Sequence, residues 1–187
     1  ADGRKVLRSS IREFLASEAM HSLNVPTTRA LTLVGSKSRI LRDIYYDGNA
    51  KMEECAVISR LAPSFIRFGS FEIFKPTDDK TGRSGPSPNN KELCKKLVDF
   101  VVDAHFNEGG EVGEGATTEE KAKIILRNAV EKTAALVARW QTVGFTHGVL
   151  NTDNMSILGL TIDYGPYGFQ EWFDFDHVPN GSDGTAR

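Results

Sequence analysis

The sequence predicts an α+β fold: a helix and antiparallel strands, followed by a mainly helical region. Three observations predict it. Apolar residues recur at helical spacing after Ser10; short strand-like runs between residues 30 and 61 are broken by Gly-containing turn signals; and one long helical stripe runs from Ala122 to Trp140. The chain has 187 residues, 40% hydrophobic and 26% charged, enough for one sizeable core. Its 23 basic and 25 acidic residues nearly cancel, so no basic field for nucleic acid and no acidic tail is present. No apolar run reaches the roughly 20 residues a membrane-spanning helix needs. Neither nucleic acid nor membrane is therefore expected as a partner. Cys55 and Cys94 stand in unrelated contexts without metal-ligand spacing and read as buried free thiols. The polar ends, opening on Ala1 and closing on Arg187, read as those of a piece cut from a longer protein.

Each element has a local reason. Ser10 and Glu13 have capping-box spacing, and Ile11, Phe14, Leu15, Ala19 and Met20 continue a helix to about Ser22, ended ahead of Pro26. Ala30–Val34 and Ile40–Tyr46 read as strands joined by a turn at Gly35–Ser38. Asp47-Gly48 is a second turn, and Ala56–Leu61 a third strand. Pro63 suits the first turn of a short helix to about Phe71. Residues 75–90 form a polar loop, and Leu93, Leu97, Phe100, Val101 and Ala104 mark an amphipathic helix. Glu108–Ala116 is a Gly/Glu-rich surface loop. Thr117 and Glu120 form a second capping box at the start of the long helix, which Gly144 ends. Residues 1–62 and 63–187 read as the small and large parts of one domain.

The chemistry is concentrated in His147–Gly165, HGVLNTDNMSILGLTIDYG. Met155–Ile162 reads as a tight hairpin about Leu158-Gly159, delivering Asp163-Tyr164-Gly165 at its end. Protein kinases place a metal-binding Asn before such a hairpin and a metal-binding Asp-Phe-Gly after it. Asn154 and Asp163 supply the oxygen ligands that Mg²⁺ requires, and Gly165 lets the backbone turn away without a clashing Cβ. In the kinase pattern H-R-D-L-x-x-x-N the Asn lies seven positions after the His, as Asn154 does after His147. The catalytic Asp of that pattern then falls on Val149. Either Asp153, beside Asn154, has taken over proton acceptance, or the hydroxyl-to-phosphate chemistry is gone.

HGVLNTDNMSILGLTIDYGPYGF, RLAPSFIRFGSFEIF and DGRKVLRSSIREFLASEAM together resemble selenoprotein O and its bacterial relatives, a family of kinase-like protein adenylyltransferases. The resemblance covers almost the whole chain and is weakest between Lys75 and Thr118. It implies a partial protein-kinase-like fold that binds ATP in a flipped orientation with Mg²⁺ (or Mn²⁺) and transfers AMP to Ser, Thr or Tyr hydroxyls of protein substrates. It further implies Asp153 as proton acceptor, Asn154 and Asp163 as metal ligands, and Asp2 and Gly3 as nucleotide contacts. Glu13 matches the partner of the kinase-like lysine, and Arg60 and Arg67 match arginines that hold phosphates. The lysine and the Gly-rich loop would precede Ala1, so the chain alone is expected to be inactive. The family is mitochondrial in eukaryotes and cytoplasmic in bacteria, and KPTDDKTGRSG at 75–85 is more similar to eukaryotic members. Two competing readings are an ordinary ATP-dependent phosphotransferase, disfavoured by Val149, and a non-catalytic nucleotide-binding pseudokinase scaffold.

Other signals read as structural. His105 and His177 lack partners at metal spacing and are read as surface or capping residues. His147 is read as a packing and hydrogen-bonding residue, Asp174–His177 as a solvated turn, and Trp140, Phe145 and Trp172 as packing aromatics.

Overall fold

The chain's computed structural model describes residues 3–44, 47–107, 112–113, 115–181 and 183–184. Helix α1 (Leu7–Ser22) is followed by strands β1 (Arg29–Arg42) and β2 (Lys51–Leu61), and by a 3-10 helix, Phe68–Phe74. Helices α2 (Lys91–His105) and α3 (Thr118–Thr142) come next, then β3 (Phe145–Thr146), a short 3-10 turn (Thr152–Asn154) and β4 (Gly168–Phe169). β1 pairs antiparallel with β2, and β3 antiparallel with β4. The architecture is α+β with two small antiparallel sheets.

The chain divides into two compact units. The first holds Ala1–Pro63, Arg139–Val149 and Thr161–Arg187; the second holds Ser64–Ala138 and Leu150–Leu160.

In the first unit α1 packs on the β1–β2 sheet. The helix starts one turn earlier than the Ser10–Glu13 spacing predicts, and that capping box does not form. Val6 is the N-cap, and the hydroxyls of Ser9 and Ser10 both donate to its carbonyl at 3.0 Å. Glu13 is drawn instead to Lys5 and Arg60, because a carboxylate only 7% exposed needs charged partners.

The predicted turn at Gly35–Ser38 is also corrected: β1 runs straight through it. Gly35 opposes Ala56 and Arg39 opposes Glu54, so Ser36, Lys37 and Ser38 are taken up against Cys55 alone, a bulge that adds residues without reversing the chain. The reversal comes later. The Asp43 carboxylate accepts from the N–H groups of Asp47 (3.2 Å) and Gly48 (2.8 Å), and Gly48 takes a φ of +85°. Tyr45 and Tyr46, predicted to end a strand, lie outside the described residues, as does most of the Glu108–Ala116 loop. Cys55 is a buried free thiol and Cys94 a half-buried one.

An aromatic cluster fills the rest of this unit. Trp140, Phe145, His147, Tyr164, Tyr167 and Phe169 meet in stacked and edge-on pairs with centroids 5.3 to 6.3 Å apart. The Trp140 indole N–H donates to Thr161 Oγ1 at 2.8 Å. Trp172 does not join them: it is 73% exposed, with Phe173 and Phe175 similarly open. Asp174–His177 is a turn, closed by the His177 N–H on the Asp174 carbonyl at 3.3 Å. His177 itself is half-buried, not a surface residue.

The second unit is built on Val98, Val101 and Val102 of α2, Ile125 of α3 and Ile157, with Ile66, Phe71, Leu97 and Leu158 packed around them. α2 is capped by Asn90, whose Oδ1 accepts from the Leu93 N–H at 3.0 Å. The Thr117–Glu120 capping box forms as predicted, with Glu120 accepting from the Thr117 N–H at 2.8 Å and Thr117 Oγ1 accepting from the Glu120 N–H at 3.3 Å. Lys121 of α3 reaches Asp99 of α2 at 2.7 Å. α3 ends at Thr142, two residues ahead of Gly144.

Two further expectations are corrected here. The helix predicted from Pro63 is a 3-10 helix that starts only at Phe68, because Arg67 before it is extended. Phe68 N–H donates to the Met155 carbonyl at 3.0 Å and Ile157 N–H to the Ile66 carbonyl at 3.2 Å. The predicted Met155–Ile162 hairpin does not form either. A turn is present, with the Gly159 N–H on the Ser156 carbonyl at 3.1 Å, but its flanks pair elsewhere. Ser156 bridges Arg67 in the second unit, and Thr161 bridges Thr27 in the first. Gly159 has a φ of +66°, and a Cβ there would come within 2.7 Å of Lys132 Cβ on α3, so glycine is required on both counts.

Candidate active site

The predicted site residues fall in both units. Gly3, Glu13, Arg60 and Asp163 belong to the first; Arg67, Asp153 and Asn154 belong to the second. Asp2 lies outside the described residues.

In the first unit, His147 is 3% exposed and stacks on Trp140 at 5.3 Å. Its Nδ1 accepts from the Val149 N–H (3.3 Å), leaving Nε2–H to donate to the Ile162 carbonyl at 2.9 Å. Those partners fix the neutral tautomer, and burial lowers its pKa against the opposing pull of these bonds and of Asp163. It ties the start of the motif to the residue before Asp163, a structural task.

Asp163 stands exposed between two buried neighbours, Ile162 at 4% and Tyr164 at 2%. Its φ is +61°; among the described residues the other non-glycine positions with positive φ are both Asn. An Asp in the left-handed region is held there by its surroundings, and such outliers gather at functional sites. Gly165, expected to supply the conformational freedom, does not: its φ is ordinary, and a Cβ there would meet nothing within 4 Å. The unusual backbone belongs to Asp163 instead.

Arg12, which the sequence did not single out, secures the following segment. Its guanidinium donates to the carbonyls of Gly165 (3.2 Å) and Tyr167 (2.7 Å) and lies 4.1 Å from the Tyr167 ring centroid. Tyr167 returns a bond from its hydroxyl to the Arg12 carbonyl at 3.0 Å. These partners are more than 150 residues apart in sequence, so no local pattern announces them.

Arg60, half-buried, pairs with the buried Glu13, each side chain 9% exposed. The Arg60 guanidinium also donates to the Thr28 hydroxyl, to the Thr28 carbonyl at 2.6 Å and to the Arg29 carbonyl at 3.3 Å, and lies 5.4 Å from the Tyr164 ring centroid. Glu13 completes its shell with Lys5. Burial pushes the Tyr164 phenol up to about 12, although its bond with Thr27 Oγ1 and the nearby Arg60 charge act the other way. Gly3 has a φ of +68° in open surroundings.

In the second unit, Asn151 organises the turn that carries the two central residues. Its Oδ1 accepts from the Asp153 N–H at 3.1 Å and its carbonyl from the Asn154 N–H at 2.9 Å. Asn154 is thereby buried, at 7%, while Asp153 is exposed. The Thr152 hydroxyl donates to Glu72 Oε1 at 2.6 Å. Arg67 sits on the extended stretch bridged to Ser156, with its N–H on Ser70 Oγ at 3.2 Å. Glu72 and Thr152 were also missed in the sequence, where each is an ordinary polar residue. Among the described residues, no three His, Cys, Asp or Glu side chains gather as a metal-binding group.

The comparisons with known proteins agree with one another. The family model described as Protein adenylyltransferase SelO matches residues 1–187. The chain is 56% identical over 187 residues to the human "Protein adenylyltransferase SelO, mitochondrial", covering all of this chain and 28% of that protein. It is 55% identical to the "Protein nucleotidyltransferase YdiU" of Aromatoleum aromaticum, again over all of this chain and 33% of that protein. The chain thus spans about a third or less of the length of these curated relatives. A match along its whole length, at more than half identical residues, makes the chain a member of the SelO protein adenylyltransferase family.

Proposed function

We propose that the protein to which this chain belongs is a protein adenylyltransferase, moving AMP from ATP to Ser, Thr or Tyr hydroxyls of protein substrates. The observation that carries the reading is the whole-length family match across a motif with Val149 where an ordinary kinase keeps its base and Asp153 beside the metal-ligand Asn. In this reading residues 1–62 and 63–187 are the small-lobe and large-lobe parts of one kinase-like domain.

Asp153 accepts the proton of the attacking hydroxyl; its exposed carboxylate on a turn ordered by Asn151 suits that task. Asn154 and Asp163 are the ligands proposed for Mg²⁺, which Mn²⁺ could replace. Both offer hard oxygen donors, and a nucleotide-bound Mg²⁺ takes only one or two protein ligands, the rest being phosphate oxygens and water. When bound, the metal neutralises charge that develops on the departing pyrophosphate. Arg67 is assigned to hold phosphate, with the forked donors that anion recognition favours. Arg60 is assigned the same role, and would exchange part of its shell of Glu13 and Thr28 for phosphate oxygens. Asp2 and Gly3 are assigned to the nucleotide. Glu13 orients basic side chains at the site, as it holds Lys5 and Arg60 here. The "mitochondrial" names of the eukaryotic relatives, together with the 75–85 loop, support a mitochondrial location.

Full-length protein incubated with ATP labelled at the α- or the γ-phosphate tests the reading. Protein-bound label from the α-position alone is expected; label arriving only from the γ-position would establish a kinase instead.

A further inference from the structure

The 3-10 helix Phe68–Phe74 contains Gly69, whose φ lies outside the left-handed region, so backbone conformation does not call for glycine there. Space does. A Cβ on Gly69 would overlap Asp153 Oδ1 and lie 3.2 Å from Asp153 Cγ and 3.3 Å from the Thr152 carbonyl oxygen. The neighbouring turn is held by the same short helix one turn on, where Glu72 Oε1 accepts the Thr152 hydroxyl at 2.6 Å. On the far side, the bonds of Phe68 to Met155 and of Ile157 to Ile66 fix the two segments side by side. The Asp153 carboxylate therefore rests in the one place along this helix where a side chain is missing.

We infer that Gly69 is a positioning residue for the Asp153 carboxylate, with the Glu72–Thr152 hydrogen bond as its second support. The inference rests on the reading of Asp153 as proton acceptor. A methyl group at 69 leaves the backbone conformation allowed and turns the carboxylate out of its rest. Misplacement of a reacting group by about 1 Å costs on the order of 100-fold in rate.

The test is steady-state AMP transfer by the full-length protein and its variants. Gly69→Ala is expected to lower kcat about 100-fold while KM for ATP stays within about 2-fold, the signature of an interaction needed only in the transition state. Thr152→Val should lower kcat by about 5-fold and Thr152→Ser, which keeps the hydroxyl, should restore it, a difference of about one hydrogen bond. That pair carries the test alone if Gly69→Ala does not fold. Wild-type kcat in Gly69→Ala, a rise in KM at unchanged kcat, or equal rates for Thr152→Val and Thr152→Ser would overturn the inference. Asp153→Asn separates the two levels. If it retains wild-type kcat, the proton-acceptor reading itself is wrong; if it is inactive while Gly69→Ala is not, only the positioning inference falls.

Discussion

Asp163 and Asp153, ten residues apart in sequence, are held by opposite means. Asp163 is set by its backbone: a left-handed φ of +61°, locked between buried Ile162 and Tyr164 and continued by a segment that Arg12 binds through two carbonyls. Asp153 sits on an ordinary 3-10 turn, and its carboxylate is placed by the room that Gly69 leaves. For the metal-ligand role proposed for Asp163, a rigid backbone limits displacement. For the proton-acceptor role proposed for Asp153, the gap at Gly69 positions the carboxylate without a strained backbone. The same motif thus contains one residue fixed by strain and one fixed by space.

Breaking the support of Asp163 should have the largest effect on stability. Tyr164→Ala removes a side chain 2% exposed from the aromatic cluster and is expected to cost about 3–5 kcal/mol by chemical denaturation. Substituting the acids themselves should sharpen the contrast. Asp163→Val forces a β-branched residue into the left-handed region and should cost about 1–3 kcal/mol, whereas Asp163→Asn should be nearly neutral in stability. Asp153→Val, exposed and at no unusual φ, should stay within about 0.5 kcal/mol. Equal costs for the two Val variants would remove the distinction.

A pH-dependent effect concerns His147, whose burial lowers its pKa below the ordinary 6.5. The unfolded chain then binds a proton that the folded chain refuses, so stability is full above pH 6.5 and declines as pH falls below it. The slope from this one group is at most about 1.4 kcal/mol per pH unit, and His147→Gln should flatten it. A stability profile over pH 5–8 unchanged by that substitution would contradict the assignment of His147 as a neutral strut.

What the sequence made legible was local. The Thr117–Glu120 box and the helical spans of α2 and α3 depend on neighbours three or four residues away and formed as the spacing predicts. The buried faces differ: Leu93 and Phe100 of α2 and Leu126 and Val130 of α3 are exposed, while Val98 and Val102 of α2 enter the core instead. Ser10–Glu13 carries the same spacing and forms no box, because a half-buried Arg60 47 residues distant outcompetes the helix terminus for the Glu13 carboxylate. Gly35–Ser38 has turn composition but becomes a bulge, since Gly35 and Arg39 both stay paired with β2 across a register shift. Asn154, Asp163 and Asp153, proposed for the site, are reached in the sequence by counting from His147. Arg12 and Gly69 are not, since their roles come only from contacts with distant segments. Gly165 was read as the point where the backbone turns away free of a clashing Cβ, whereas the left-handed φ belongs to Asp163, between buried Ile162 and Tyr164.

Asp153→Ala in the full-length protein separates the proton acceptance proposed for Asp153 from the nucleotide binding proposed for Asn154 and Asp163. ATP binding with Mg²⁺ and transfer of α-label to protein should be measured side by side. Wild-type ATP affinity is expected, with a transfer rate lowered at least about 100-fold, the scale of a lost general base. An Asp153→Ala variant that transfers AMP at the wild-type rate would contradict that proton acceptance.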